Sequence, residues 1–396
     1  MSDSSRQRFR VLAAGVLSLV LCMGVARFAY TPLLPLMQDQ AGLSAAGGGW
    51  LAAWNYLGYL TGALIAANIS DLVLKDRLYR IGMVLAVVST AAMALATSTV
   101  WWCLWRFIAG LSTAAGMLLG TGLILHWLLR HDHRPELGIH FSGVGLGIAL
   151  SAAAVSAMRP WFDWDGQWLL FSVGALALMV PALSWLPRPA LQTHSHGGQP
   201  LIDAPPSSLF QWLFMAAYFC AGIGYVVSAT FIVAIVDDMP GLEGRGSLVF
   251  LAIGLAAAPA SILWDLIARR IGILNAVFAT SALQVAGIVL PLAGGLPAAL
   301  AGAALFGFTV IGLVSLVLTL AGRYYPSRPA KMMGKMTLSY GVAQILAPAI
   351  IGWIAEHGGS YADGLVMAAA AMVVGSLLLL GLKLVERRDL RHAAAT

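Results

Sequence analysis

Residues 11–37 read VLAAGVLSLVLCMGVARFAYTPLLPLM, an apolar run interrupted by one charge, Arg27. A helix needs about 20 apolar residues to cross a bilayer, so the run is long enough to span one. A charged side chain at bilayer depth costs roughly 2.5–3.5 kcal/mol even on insertion scales, so Arg27 is expected to face a protein interior or a water-filled cavity. Only one other apolar run carries an interior charge, at Arg106. Asp and Glu lie outside these runs or at their ends, which leaves both cations without an acid at their own depth. That asymmetry points to an anion the chain does not itself supply.

Working outward, hydrophobic residues make up 60% of the 396-residue chain and charged residues 10%. The mean hydropathy is +0.84. A soluble protein carries about a quarter charged residues, so the composition is that of an all-α integral membrane protein. Spanning runs are expected at 11–37, 48–70, 78–96, 100–128, 138–158, 167–186, 209–236, 246–268, 272–293, 296–321, 333–355 and 362–384. This predicts twelve transmembrane helices. Of the 23 Lys and Arg, nineteen fall in ends and loops on the side of the N-terminus. Only Arg159 and Arg245 fall on the other side. The positive-inside rule then places both termini in the cytoplasm and the protein in an inner or plasma membrane. The net charge of +6 is thus a topology signal, and no basic stripe with interleaved aromatics suggests nucleic acid. The polar start Met1–Arg10 is followed by no cleavable small-residue site, so the first helix is expected to be retained. Cys22, Cys103 and Cys220 sit in separate runs and read as small buried hydrophobes.

The stretch 187–208 holds five prolines, a Gly197–Gly198 pair, His194 and His196, and reads as a cytoplasmic linker. It divides the chain into a six-helix half, 1–186, and a second, 209–396. A weak repeat supports the division. Asp71, Arg77 and Arg80 follow the second helix as Asp265, Arg269 and Arg270 follow the eighth. Parallel halves of this kind place a substrate site near the midplane between them. The two turns are expected to act as conformational latches holding the inner ends of the halves together.

Several segments carry a resemblance to a known family. Two six-helix halves, a central loop and the Asp71–Arg80 turn resemble the major facilitator superfamily. Leu104, Arg106, Gly110, Ala114 and Ala115 look like its helix-four arginine motif, with Ala109 where Gln is frequent. The stretch GVARFAYTPLLPLM at 24–37 is similar to the hallmark of the YbfB/YjiJ group. So are NYLGYLTG at 55–62, SGVGLG at 142–147 and the turn from Trp264–Asp265 to Gly272. The resemblance implies transport and a central cavity lined by helices one, four, seven and ten; a monomer without cofactor or metal is expected. It implies no particular substrate.

Arg106 is six residues from the outer start of its run, about 9 Å, and Arg27 ten from the outer end of its own, about 15 Å. A guanidinium presents a planar fork suited to carboxylate, sulfonate or phosphate. Each arginine could grip an anion, or could cap carbonyls of a broken helix. Pro32 and Pro35 remove donors beside Arg27, so a kink is expected there, and the freed carbonyls need partners. Tyr30, Asn55, Tyr56, Tyr59, Tyr218, Tyr225, Ser228, Thr230, Tyr340 and Gln344 could complete the cavity as neutral hydrogen-bonding groups. Equally, they could tie helices together. The glycines Gly110, Gly116, Gly120, Gly143, Gly145 and Gly147 read as close-packing surfaces; no strand–helix unit surrounds them to make a nucleotide fingerprint.

No P-loop occurs, no carboxylate is expected at depth, and His126 and His140 lie toward the cytoplasmic ends of their helices. The histidines at 131, 133, 194 and 196 lack the spacing of a zinc enzyme. The sequence therefore reads as no enzyme. It reads as a secondary or facilitative transporter of a small organic anion by alternating access, anchored by Arg27. Efflux of amphipathic compounds, a lipid translocase and a transport-derived sensor are the alternatives.

Overall fold

The structure, a computed structural model, describes residues 3–131, 133, 137–189, 205–324 and 330–395. These form long helices α1 (Arg6–Ala41), α2 (Ala45–Ala67), α3 (Leu72–Ala92), α4 (Thr99–Leu128), α5 (Leu137–Met158) and α6 (Trp164–Ser184). After the linker come α7 (Ser208–Asp237), α8 (Gly246–Ile271), α9 (Ile273–Ala293), α10 (Leu296–Tyr324), α11 (Ala330–Glu356) and α12 (Tyr361–Ala395). Most of the linker, with His194 and His196, lies outside the described residues, as do Asp132, Arg134 and Arg328.

Ten of these helices are long and apolar enough to cross a membrane. The exceptions are instructive. α3 opens with Lys75, Asp76, Arg77 and Arg80, and α2 is diluted by glycines, Asn55 and tyrosines. Both pack inside the bundle with the rest. Polar caps fix several starts: Ser44 Oγ accepts from Gly47 N at 3.0 Å, and Asp71 Oδ1 accepts from Val73 N at 2.9 Å. Gly42 at φ +67° closes α1 in the left-handed conformation that glycine tolerates.

Depth in the bundle differs between helices. In the most apolar window of α7, 83% of residues are buried, against 28% for α6. Leu169, Val173, Leu176 and Val180 of α6 are exposed at helical spacing, an apolar stripe facing outward as lipid requires. The protein is thus a multi-pass membrane protein with α1 and α7 at its centre. The halves meet along α1 and α7, α2 and α11, and α5 and α8. Glycine makes the closest approaches possible. A Cβ on Gly24 would lie 2.6 Å from the Gly147 Cα, and one on Gly145 would collide with Ala258 across the α5–α8 seam.

Among the described residues, two helices carry π-helical stretches. α1 is π-helical over Val20–Phe28, with Ala29 N donating to Gly24 O at 2.8 Å, and α4 is π-helical over Ala115–Gly120. The first stretch carries Arg27. π-Bulges of this kind often mark functional sites.

Candidate functional site

The site grows from the break in α1. Pro32 has no N–H, so it cannot donate to the carbonyls four and five residues back, those of Phe28 and Arg27. A donor arrives from α4 instead. Arg106 Nη1 donates to Ala26 O at 3.0 Å and Arg27 O at 3.3 Å, and its Nη2 donates to Arg27 O at 3.3 Å. Its guanidinium lies 4.5 Å from the centre of the Tyr30 ring. Asn55 Nδ2 in turn donates to Arg106 O at 2.9 Å. Of the two readings open for Arg106 in the sequence, the one in which it caps carbonyls of a broken helix is the one the hydrogen bonds display.

Arg27 is placed differently. It is only 5% exposed. Its Nη2 donates to Tyr225 OH at 3.3 Å, its guanidinium lies 4.5 Å from the Tyr56 ring centre and 5.1 Å from that of Tyr59, and Nε has no partner. The cation therefore rests among neutral phenols. A narrow cleft, with a water-accessible volume of about 10 Å³, lies against it, lined by Arg27, Tyr30, Thr31, Asn55, Tyr56, Arg106 and Thr230 among others. Its walls come from α1, α2, α4 and α7. The resemblance implied α10 as well, but no residue of α10 lines the cleft.

The remaining expected residues divide in two. Tyr218 and Tyr340 stack at 4.4 Å, and Tyr225 and Tyr340 at 5.8 Å, which brings α7 and α11 to the cluster around Arg27. Gln344 is 2% exposed, with Oε1 unpartnered. Tyr30, by contrast, spends its hydroxyl on Gly48 O at 2.7 Å and ties α1 to α2. Tyr56, expected with Asn55 and Tyr59 as a neutral hydrogen-bonding group, is the ring that lies closest to the Arg27 guanidinium. Sequence reasoning missed Thr31, whose Oγ1 donates to Ala229 O at 2.7 Å across the halves.

The proposed latch residues find partners inside their own halves. Asp71 caps α3, and Asp265 accepts from Arg269 on its own helix at 2.6 Å. Arg77 and Arg270 are exposed. Arg80 pairs with Asp76 at 2.9 Å and donates to the carbonyls of Leu183 and Leu186 at 3.1 and 3.2 Å. Thus Asp71 and Asp265 do not join the halves in this conformation. Asp76, 6% exposed, also corrects the expectation that no carboxylate is buried; its pairing with the arginine four residues on makes that burial tolerable. His140 is fully buried, with Nε2 2.9 Å from Thr121 Oγ1. Among the described residues no three His, Cys, Asp or Glu side chains form a metal cluster.

Hydrogen bonds between the halves gather at the end of the bundle away from the chain termini. Glu356 accepts from Ser44 Oγ at 2.9 Å and Ala46 N at 2.7 Å, Gln38 Nε2 donates to Tyr361 OH at 2.7 Å, and Tyr361 OH donates to Ala45 O at 3.2 Å. This end is closed over the Arg27 cleft.

A membrane bundle of two packed halves with a buried polar cleft between them defines a transporter. The chain belongs to the family described as "Uncharacterised MFS-type transporter YbfB", which matches residues 19–380. Over 230 residues it is 28% identical to the "Uncharacterized MFS-type transporter YceJ" of Bacillus subtilis (strain 168), covering 54% of this chain and about half, 55%, of that relative. Its fold is similar to crystal structures of the nucleoside transporter NupG. A mutant of NupG aligns with TM-score 0.76 and 13% identity over 94% of this chain and 99% of its own. A second NupG structure aligns with TM-score 0.72 and 12% identity over 95% and 98%. The family and these neighbours are transporters and not enzymes.

Proposed function

We propose that the protein is a twelve-helix secondary or facilitative transporter that moves a small organic anion across an inner or plasma membrane by alternating access, with both termini cytoplasmic. One observation carries the reading: Arg27 is buried at mid-bundle, beside a cleft, with a neutral phenol as its hydrogen-bond partner and Nε unpartnered. An uncompensated cation in a low-dielectric interior is unfavourable. Stacking on Tyr56 and Tyr59 offsets part of that cost. A carboxylate entering the cleft would offset more, through charge and a guanidinium edge still open to it.

The two arginines divide the work. Arg106 donates three bonds to carbonyls of the π stretch, so its main part is to position Arg27 and add positive field, with its Nε, like that of Arg27, left without a partner. The cluster at Glu356 is the gate on the outer face, and its bonds must break for the cleft to open there. Proton dependence, where present, arises from the substrate's own titration or from peripheral acids.

The nucleoside transporters of similar fold suggest a second substrate class, but a neutral nucleoside would leave Arg27 uncompensated. Efflux of amphipathic compounds and lipid translocation remain the alternatives in mechanism. Reconstituted vesicles separate these: flux of labelled organic acids supports the anion carrier, lipid transfer the translocase. Wild-type flux of such acids in Arg27→Ala would sink the anchor.

A further inference from the structure

Tyrosine in membrane proteins concentrates at the two interfaces, where its hydroxyl meets water. Among the described residues, a group of five tyrosines around Arg27 leaves that pattern, besides Tyr30, whose hydroxyl is bonded to Gly48 O. Tyr218 lies ten residues into α7 and Tyr340 ten into α11, about 15 Å along each helix. Tyr225 lies two turns further along α7, and Tyr56 and Tyr59 face the same space from α2.

Their rings are ordered with respect to one another. Tyr218, Tyr340 and Tyr225 form a near-parallel series, 25° between neighbours at 4.4 and 5.8 Å. Tyr56 stands edge-on to Tyr225 at 6.4 Å and 85°, and carries the Arg27 guanidinium at 4.5 Å. Aromatic rings thus run in contact from Tyr218 to the cation, with one edge-to-face step between Tyr225 and Tyr56. Rings held by one another present fixed quadrupolar faces, which favour a second aromatic over an aliphatic body of equal size. Two buried polar atoms are unpartnered about one helical turn from these rings, Ser228 Oγ beyond Tyr225 and Gln344 Oε1 beyond Tyr340.

We propose that the transported anion is a planar aromatic carboxylate: its carboxylate meets the unpartnered Nε edge of Arg27, and its ring lies against the Tyr225–Tyr340 pair. The inference rests on the anion reading above and deepens it. Ser228 and Gln344 suit a ring substituent bearing O–H or N–H.

The experiment measures stabilisation of the purified protein by 2-naphthoate, its saturated counterpart decahydro-2-naphthoate, and the uncharged 2-naphthamide. Naphthoate is expected to act at roughly tenfold lower concentration than the saturated acid. Tyr340→Phe keeps that preference and Tyr340→Leu flattens it; should Tyr340→Leu fail to fold, Tyr218→Leu shows the same loss in smaller measure. Equal action of the two acids, both abolished in Arg27→Ala, overturns the aromatic inference and leaves the anion reading standing. Equal action of naphthamide and naphthoate overturns the anion reading, and no effect of either acid overturns both.

Discussion

Replacing each arginine by lysine separates the two roles the structure assigns. Arg106→Lys keeps the charge but cannot reproduce a fork that spans the carbonyls of Ala26 and Arg27. Of three N–H···O contacts, an ammonium in one position can keep one or two. Hydrogen bonds from a charged group contribute about 1.5–3 kcal/mol each, so the loss in stability is expected to be about 2–4 kcal/mol. Ligand affinity should weaken only secondarily, as the π stretch relaxes. Arg27→Lys loses no bond to the backbone, and the Tyr225 hydroxyl remains within the reach of a flexible ammonium. Its stability should stay within about 1 kcal/mol of wild type, while a fork-dependent carboxylate loses at least about tenfold in affinity. Thermal unfolding in detergent, with and without a saturating organic acid, reads both quantities. An Arg106→Lys protein as stable as wild type but unable to bind would refute the division of labour.

Two further expectations concern gate and caps. Glu356→Gln exchanges a charged acceptor for a neutral one at Ser44 and Ala46, so labelling of a cysteine introduced at Thr230 by an impermeant reagent from the outer face should rise; unchanged labelling would remove Glu356 from the gate. Asp71→Asn should leave stability and the balance of conformations unchanged because asparagine caps as well, whereas Asp71→Ala should cost about 1 kcal/mol; a conformational shift in the asparagine variant would restore the latch.

The all-helical membrane fold and the burial of Arg27 were legible because bilayer burial leaves long, uncharged runs in the sequence. Arg27 stood out for the same reason. The role of Arg106 was only half legible. Pro32 and Pro35 announce carbonyls in need of donors, but the π register that turns those of Ala26 and Arg27 toward α4 is a property of packing between helices. The Glu356 gate was hidden, since its partners, Ser44 and Ala46, lie some three hundred residues away and nothing local marks them. Asp76 was missed although the Asp76–Arg80 spacing is that of a helical ion pair, because the reading gave Asp71 the whole turn.

The central claim is that Arg27 anchors a negative charge. It is tested most directly by comparing carboxylates with their matched carboxamides for stabilisation of wild-type and Arg27→Ala protein across a set of organic acids. The account predicts that stabilising compounds are found among the carboxylates, that their amides act at least about tenfold more weakly, and that Arg27→Ala erases the difference. Amides as effective as the acids, or acids that stabilise Arg27→Ala as well as wild type, would contradict it.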